Sequence, residues 1–141
     1  MKYPQSFCKT IERKLTPERL ETIYKYGCCA FVLLWCLGID PSDFEAIELV
    51  SDMIDAKVIE EDCTVHWVEA VKFLTGRDLV IEFKDIKDIS KIKERTPVRY
   101  DYKGKGHWVG VERGNVTFNP RDYSLCLEKG RPVTARFIKL K

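Results

Sequence analysis

In the first half of the chain, apolar residues recur at the spacing of helices. Thr16-Pro17-Glu18 combines a capping hydroxyl, a first-turn proline and an acid near the positive helix end, which predicts a helix over residues 16–25 that stops at Gly27. A second helix is predicted over 28–38. Because this helix is apolar all round, it must be buried on every side.

Two further helices are predicted from start signals that precede apolar stripes. Asp40-Pro41-Ser42 starts one, and Asp62-Cys63-Thr64 starts the other, which ends at Gly76. The stripe of the first consists of Phe44, Ile47, Val50, Met53 and Ile54. The stripe of the second consists of Trp67, Val68, Val71 and Leu74.

The second half of the chain has the pattern of strands separated by glycines. We predict strands over residues 79–83, 97–102, 107–112, 116–119 and 133–140. Helices first and antiparallel strands afterwards indicate an α+β fold. We therefore predict one domain over 1–141, with a helical part over about 1–77, a sheet part over about 78–141, and the buried helix 28–38 packed on the sheet.

Composition restricts the partners. The chain has 141 residues, 45% hydrophobic and 33% charged, with a net charge of +2. So small a charge gives no long-range field for nucleic acid, and the longest apolar stretch, residues 28–39, is too short to span a membrane. No signal-peptide core precedes it, so we expect a cytoplasmic protein, whose oligomeric state stays open.

The six cysteines show no metal-binding spacing. They lack a Cys-x-x-Cys pair, so we expect neither a metal nor another cofactor. Four of them are predicted to be small buried apolar residues: Cys8, Cys36, Cys63 and Cys126. The other two, Cys28 and Cys29, begin the buried helix, where backbone N–H groups would lower the pKa of a thiol.

One of these two thiols is a candidate nucleophile. Neighbours on a helix point about 100° apart, so only one can face a given base. We favour Cys28 because it directly follows Gly27, which would let the chain turn sharply and leave room for substrate. Cys29 is seven residues from Cys36 on the same helix face, which is typical of a core residue, although it stays an alternate nucleophile.

His107 and Asn119 are the candidate base and its orienter. If the turn at 113–115 is a three-residue loop, Glu112 faces Val116 and Asn119 lies on the His107 face of the hairpin. A two-residue loop would put Asn119 on the opposite face. The other histidine, His66, is predicted to lie partly exposed on the fourth helix.

At these residues the chain resembles the papain-like cysteine peptidase superfamily, nearest to the domains that remove double-glycine leaders from bacteriocins. The two matching motifs are Tyr26-Gly27-Cys28-Cys29-Ala30-Phe31, and Gly106-His107-Trp108-Val109-Gly110-Val111 followed by Asn119-Pro120. The resemblance implies a papain-like fold and a thiol hydrolase. In such an enzyme Cys28 attacks a peptide or small amide substrate, His107 is the base, and Gly27, Gly106 and Trp108 border a narrow cleft.

One departure from the family pattern leaves alternatives open. The family glutamine that stabilises the oxyanion would fall at about Thr22, and the chain has a single glutamine, Gln5, as a possible replacement donor. Losing one oxyanion donor costs about 100–1000-fold in rate. The alternatives are therefore a weak or inactive papain-like scaffold that acts as a binding module, and an unrelated α+β domain.

Overall fold

A computed structural model describes residues 1–8 and 15–141 as an α+β fold. These residues form six helices and one five-stranded antiparallel sheet. The helices are α1 (Pro4–Phe7), α2 (Pro17–Tyr26), α3 (Cys28–Cys36), α4 (Asp43–Asp55), α5 (Trp67–Thr75) and α6 (Leu125–Lys129). The strands are β1 (Leu79–Asp85), β2 (Thr96–Tyr102), β3 (Lys105–Glu112), β4 (Asn115–Phe118) and β5 (Arg131–Leu140).

The helices follow their predicted start and stop signals closely in three cases. The Thr16 hydroxyl accepts the Arg19 N–H at 3.1 Å at the start of α2, and Ser42 forms a capping box with Glu45 at the start of α4. Helix α3 buries its first seven residues, as its all-round apolar sequence predicts. Residues 9–14, within the predicted helical part, lie outside the described residues.

The start of the fourth predicted helix was wrong. Helix α5 begins at Trp67 rather than at residues 62–64, because Ile59 and Val65 pair in an isolated β-bridge and Cys63 adopts a positive φ of 65° between them. This tight reversal takes the chain out of the helical region. The short helices α1 and α6 were not predicted, since neither is long enough to show an apolar period.

The sheet has the strand order β1-β5-β2-β3-β4 and separates two apolar clusters. Trp108 and Gly110 of β3 face the helices, and a Cβ on Gly110 would lie 2.5 Å from the Trp35 ring of α3. Val109 and Val111 face the second cluster, on the opposite side. Helix α3 therefore packs directly against β3, and Cys28, its first residue, lies beside that strand.

Candidate functional site

Cys28 is the first residue of α3, and its sulfur lies against β3. The backbone N–H groups of Trp108, the residue after His107, of Cys29 and of Cys28 itself each lower the pKa of the thiol, so the sulfur lies close to all three. Cys28 is 9% exposed and borders a surface cavity. The thiol at the helix start is thus held beside the strand that carries the candidate base.

The expectation of a lowered Cys28 pKa was wrong. Burial raises the pKa of the thiol above 9.0, and this outweighs the Trp108 N–H, the Arg121 charge and the helix-start N–H groups, which all lower it. The helix contributes the donors that were predicted, but the apolar surroundings penalise the thiolate more. At neutral pH, Cys28 is therefore a protonated thiol.

His107 and Asn119 are hydrogen-bonded, with 2.7 Å between His107 Nε2 and Asn119 Oδ1. Because an amide oxygen only accepts, Nε2 carries the proton and Nδ1 holds the free lone pair. Burial lowers the pKa of His107, the Asn119 bond opposes this, and the Arg121 charge lowers the pKa further. The imidazole is consequently neutral at neutral pH and able to accept a proton at Nδ1.

The register that brings Asn119 to His107 arises differently from the prediction. The turn has two residues, Arg113 and Gly114, with φ of 52° and 75°, and Glu112 pairs with Asn115 instead of Val116. A bulge then shifts the register, so that Val111 pairs with Val116 but Gly110 pairs with Phe118. The extra residue of the bulge restores the face that a two-residue loop alone would have reversed.

Arg121 is a site residue that the sequence analysis missed. Its backbone N–H donates to Asn119 Oδ1 at 3.2 Å, and its Nη2 donates to the Tyr24 carbonyl at 2.6 Å. The guanidinium also lies over the Tyr24 ring, 4.7 Å from the ring centroid. One side chain therefore ties the Asn119 turn to the end of α2, just before Cys28. The available signal was a cation two residues after the orienting asparagine.

Gln5 folds back towards the site, but it does not line the cavity. Its Nε2 donates to the Tyr24 carbonyl at 2.8 Å, its backbone N–H donates to the Pro120 carbonyl at 3.0 Å, and the residue is 0% exposed. Thr22, at the family glutamine position, donates its hydroxyl to the Glu18 carbonyl. Gln5 therefore supports the backbone behind Cys28 and does not reach substrate space in this conformation.

Cys29 points towards both the main core and the cavity. It belongs to the apolar cluster around α3, and burial raises the pKa of its thiol well above 9.0. Ionisation of the neighbouring Cys28 would raise the pKa further, whereas Arg136 and Arg99 lower it. Of the two thiols, Cys28 is the one whose pKa the Trp108 N–H lowers, which keeps it the stronger candidate nucleophile.

The cavity in front of Cys28 has a volume of about 680 Å³. It is lined by Lys25, Tyr26, Cys28, Cys29, residues 62–65, Trp67, Arg99, Gly106, Trp108 and Arg136. Gly106 and Trp108, two of the predicted cleft residues, are among the residues that line it. Gly27 lies behind the cavity with a helical φ of −78°, and a Cβ there would meet the Ile23 carbonyl at 2.5 Å, so packing within the helices requires this glycine.

The remaining candidate residues lie away from this site or are buried thiols. His66 precedes α5, with its side chain 47% exposed and its Nε2 3.9 Å from Glu60. Cys8, Cys63 and Cys126 are buried, and Cys36 is half-buried. Within residues 1–8 and 15–141, no helix has the length and apolar character needed to cross a membrane.

Comparisons with models of protein families, with characterised proteins and with solved structures gave no match to this chain. The resemblance to papain-like peptidases therefore stays a prediction that rests on the two motifs. Besides these motifs, the structure shows an α+β fold and the surroundings of Cys28.

Proposed function

We propose that the protein is a papain-like cysteine hydrolase that cleaves an amide or peptide bond through Cys28, His107 and Asn119. The observation that carries this proposal is the 2.7 Å hydrogen bond between His107 and Asn119, together with a Cys28 sulfur that lies beside the backbone N–H of Trp108. An amide oxygen on one ring nitrogen leaves the other as a base. Cys28 lies beside the backbone of Trp108, the residue after His107, and the proposal requires the His107 ring to reach the Cys28 thiol from the other face of β3.

In the mechanism we propose, His107 acts as a general base, since burial favours the neutral forms of both Cys28 and His107. As the Cys28 sulfur attacks the carbonyl carbon, His107 Nδ1 takes the thiol proton, and the C=O electron pair moves to the oxygen. The Cys28 N–H, at the start of α3, donates to this oxyanion. The imidazolium, stabilised by Asn119, then protonates the leaving amine as the C–N bond breaks. Water, deprotonated by His107, hydrolyses the thioester and restores the thiol.

Covalent labelling tests this arrangement without knowledge of the natural substrate. A short peptide vinyl sulfone, followed by intact mass measurement and peptide mapping at pH 7, should modify Cys28 faster than the other thiols. Cys28→Ala should abolish the fast reaction, and His107→Asn should slow it. Cys29→Ala is the matched control and should retain it. Equal labelling of several thiols, or a rate unaffected by His107→Asn, would contradict the proposal.

A binding module is the second candidate function, and two observations favour it. Burial keeps Cys28 protonated, and the Gln5 amide is committed to Tyr24 instead of facing the cavity. A binding module would hold a peptide in the cavity without cleaving it. In that case Cys28→Ala would leave peptide affinity unchanged and neither protein would release a product, as chromatography of the incubated peptide would show.

A further inference from the structure

The sheet face that borders the cavity carries two arginines. Arg99 of β2 pairs opposite Trp108, and Arg99 also pairs opposite Thr134 of β5. Residues paired across strands share a face, and residues two apart along a strand also share it. Arg136 therefore lies on the same face as Arg99 and Trp108, and all three line the cavity in front of Cys28.

The two arginines differ in what compensates their charge. Arg99 Nε donates to Asp101 Oδ1 at 2.8 Å. Arg136 Nη1 donates only to neutral oxygens, Thr134 Oγ1 at 2.8 Å and the Ala135 carbonyl at 3.3 Å. Across residues 1–8 and 15–141, no carboxylate lies within 4.0 Å of the Arg136 guanidinium.

Aromatic rings hold the Arg136 guanidinium in place. Its central carbon lies 4.0 Å from the Phe83 ring centroid and 5.1 Å from that of Trp108. Burial has the largest effect and lowers the pKa of Arg136, as does the nearby Arg99 charge, whereas negative charges on Cys29 and Asp85 raise it. An oxyanion bound between the two arginines would relieve this repulsion and supply the missing partner.

The basic pair is close to the candidate nucleophile. Both arginines interact electrostatically with the thiol of Cys29, which is bonded to Cys28 along the chain. Asp62 also lines the cavity, and its hydrogen bonds from Thr64 lower the pKa of its carboxyl, so it stays ionised. The lining therefore carries three cations, Lys25, Arg99 and Arg136, against the carboxylate of Asp62, and this balance favours an anionic ligand.

We propose that Arg99 and Arg136 bind a carboxylate of the peptide substrate, within a residue or two of the bond that Cys28 attacks. The proposal names the substrate class of the hydrolase suggested above and rests on it for the chemistry, although the binding itself does not require cleavage. A carboxylate can come from the C-terminus of a peptide or from an acidic side chain. Both present the same planar pair of oxygens to the guanidinium groups.

Binding to the uncleaving Cys28→Ala protein tests the inference. The probes are acetyl-Ala-Gly with a free C-terminus, its C-terminal amide, and acetyl-Ala-Glu-Gly-amide with its Gln counterpart. Titrations followed by NMR of the arginine Nε–H groups should show at least one of the two acids binding about 10-fold or more tightly than its neutral partner, because hydrogen bonds to a charged carboxylate are stronger than those to an amide. Comparison of the two acids identifies the source of the carboxylate.

Variants then test whether the preference for an acid over its neutral partner depends on Arg99 and Arg136. Arg136→Gln and Arg99→Gln should each reduce the ratio of acid to amide affinity, whereas Arg131→Gln, at an exposed position on the same strand, should leave it unchanged. Equal affinity for the acid and neutral probes in the Cys28→Ala protein would overturn the inference, whether or not the arginine variants fold. A retained preference in folded Arg136→Gln would also overturn it. Carboxylate binding without vinyl sulfone labelling of the native protein would refute the hydrolase alone.

Discussion

The two sides of Cys28 are built on different principles. Behind it, Arg121 donates to Asn119 Oδ1 and to the Tyr24 carbonyl, and Gln5 donates to the same carbonyl. In front of it, the cavity wall presents Arg136 with no described carboxylate partner. The groups behind Cys28 use their hydrogen bonds to hold the backbone in place, whereas the arginines in front of it line the open cavity.

This difference separates groups that position the site from groups available to a ligand. A polar group paired within the fold contributes to stability, and its loss leaves a partner unsatisfied. A partly exposed charge beside a like charge contributes little to stability and more to recognition. Substitutions behind Cys28 should therefore impair the stability of the fold or the proposed catalysis, and substitutions in front should change ligand preference.

The largest expected effect is the loss of the orienting asparagine. Asn119→Ala removes the acceptor that holds the His107 tautomer, so we expect kcat/KM on a cleaved peptide to fall by about 100- to 10,000-fold. Asn119→Asp retains an oxygen acceptor and should keep more activity, with the acidic limb of the pH–rate profile at higher pH because a negative charge raises the His107 pKa. Equal activity of the native protein and Asn119→Ala would remove His107–Asn119 from the mechanism.

Arg121, behind Cys28, and Arg136, in front of it, provide a direct test of the comparison. Arg121→Ala should lower the free energy of unfolding by about 1.5–3 kcal/mol, since it removes hydrogen bonds from a charged group to the end of α2. Arg136→Ala should change it by less than about 1 kcal/mol, because lost ring contacts are offset by relief of repulsion with Arg99. Urea denaturation measures both. A larger loss in Arg136→Ala than in Arg121→Ala would reverse our assignment of the two sides.

Two glycines of β3 test the same contrast in packing. A Cβ on Gly110 would lie 2.5 Å from the Trp35 ring inside the core, so Gly110→Ala should cost about 1–3 kcal/mol of stability. A Cβ on Gly106 would meet the Arg99 guanidinium at 2.3 Å, but that side chain can move into the open cavity. Gly106→Ala should cost less than about 0.5 kcal/mol by the same measurement. Similar losses at both positions would mean that the cavity wall is as rigid as the core.

The smallest expected effect is the pH dependence that His107 contributes. Burial lowers its pKa below the 6.5 of an unperturbed histidine, so the unfolded chain binds the proton more tightly than the folded one. Stability should therefore fall as the pH decreases from 6.5 towards the folded pKa. Urea denaturation between pH 5 and 7.5 should show a shallower slope in His107→Asn. An identical slope would indicate that His107 is solvated.

The sequence predicted the parts of the site that depend on local patterns. The caps at Thr16 and Ser42, the apolar run after Gly27, and the alternation around His107 each follow from propensity and period. The α5 start was missed because a β-bridge between Ile59 and Val65 competes with the local helix signal. Local patterns do not include such a nonlocal competitor, and the same limitation applies to the β4 bulge.

By itself, the sequence determined an α+β chain with a thiol at the start of a buried helix and a histidine on a strand, because caps and periodicity act over a few neighbouring residues. Only the tertiary structure decided that a bulge turns Asn119 to His107, that burial outweighs the helix start in setting the Cys28 pKa, and that Arg136 faces the cavity without a described acidic partner. Register, desolvation and charge pairing depend on residues far apart in the chain, and folding brings these together.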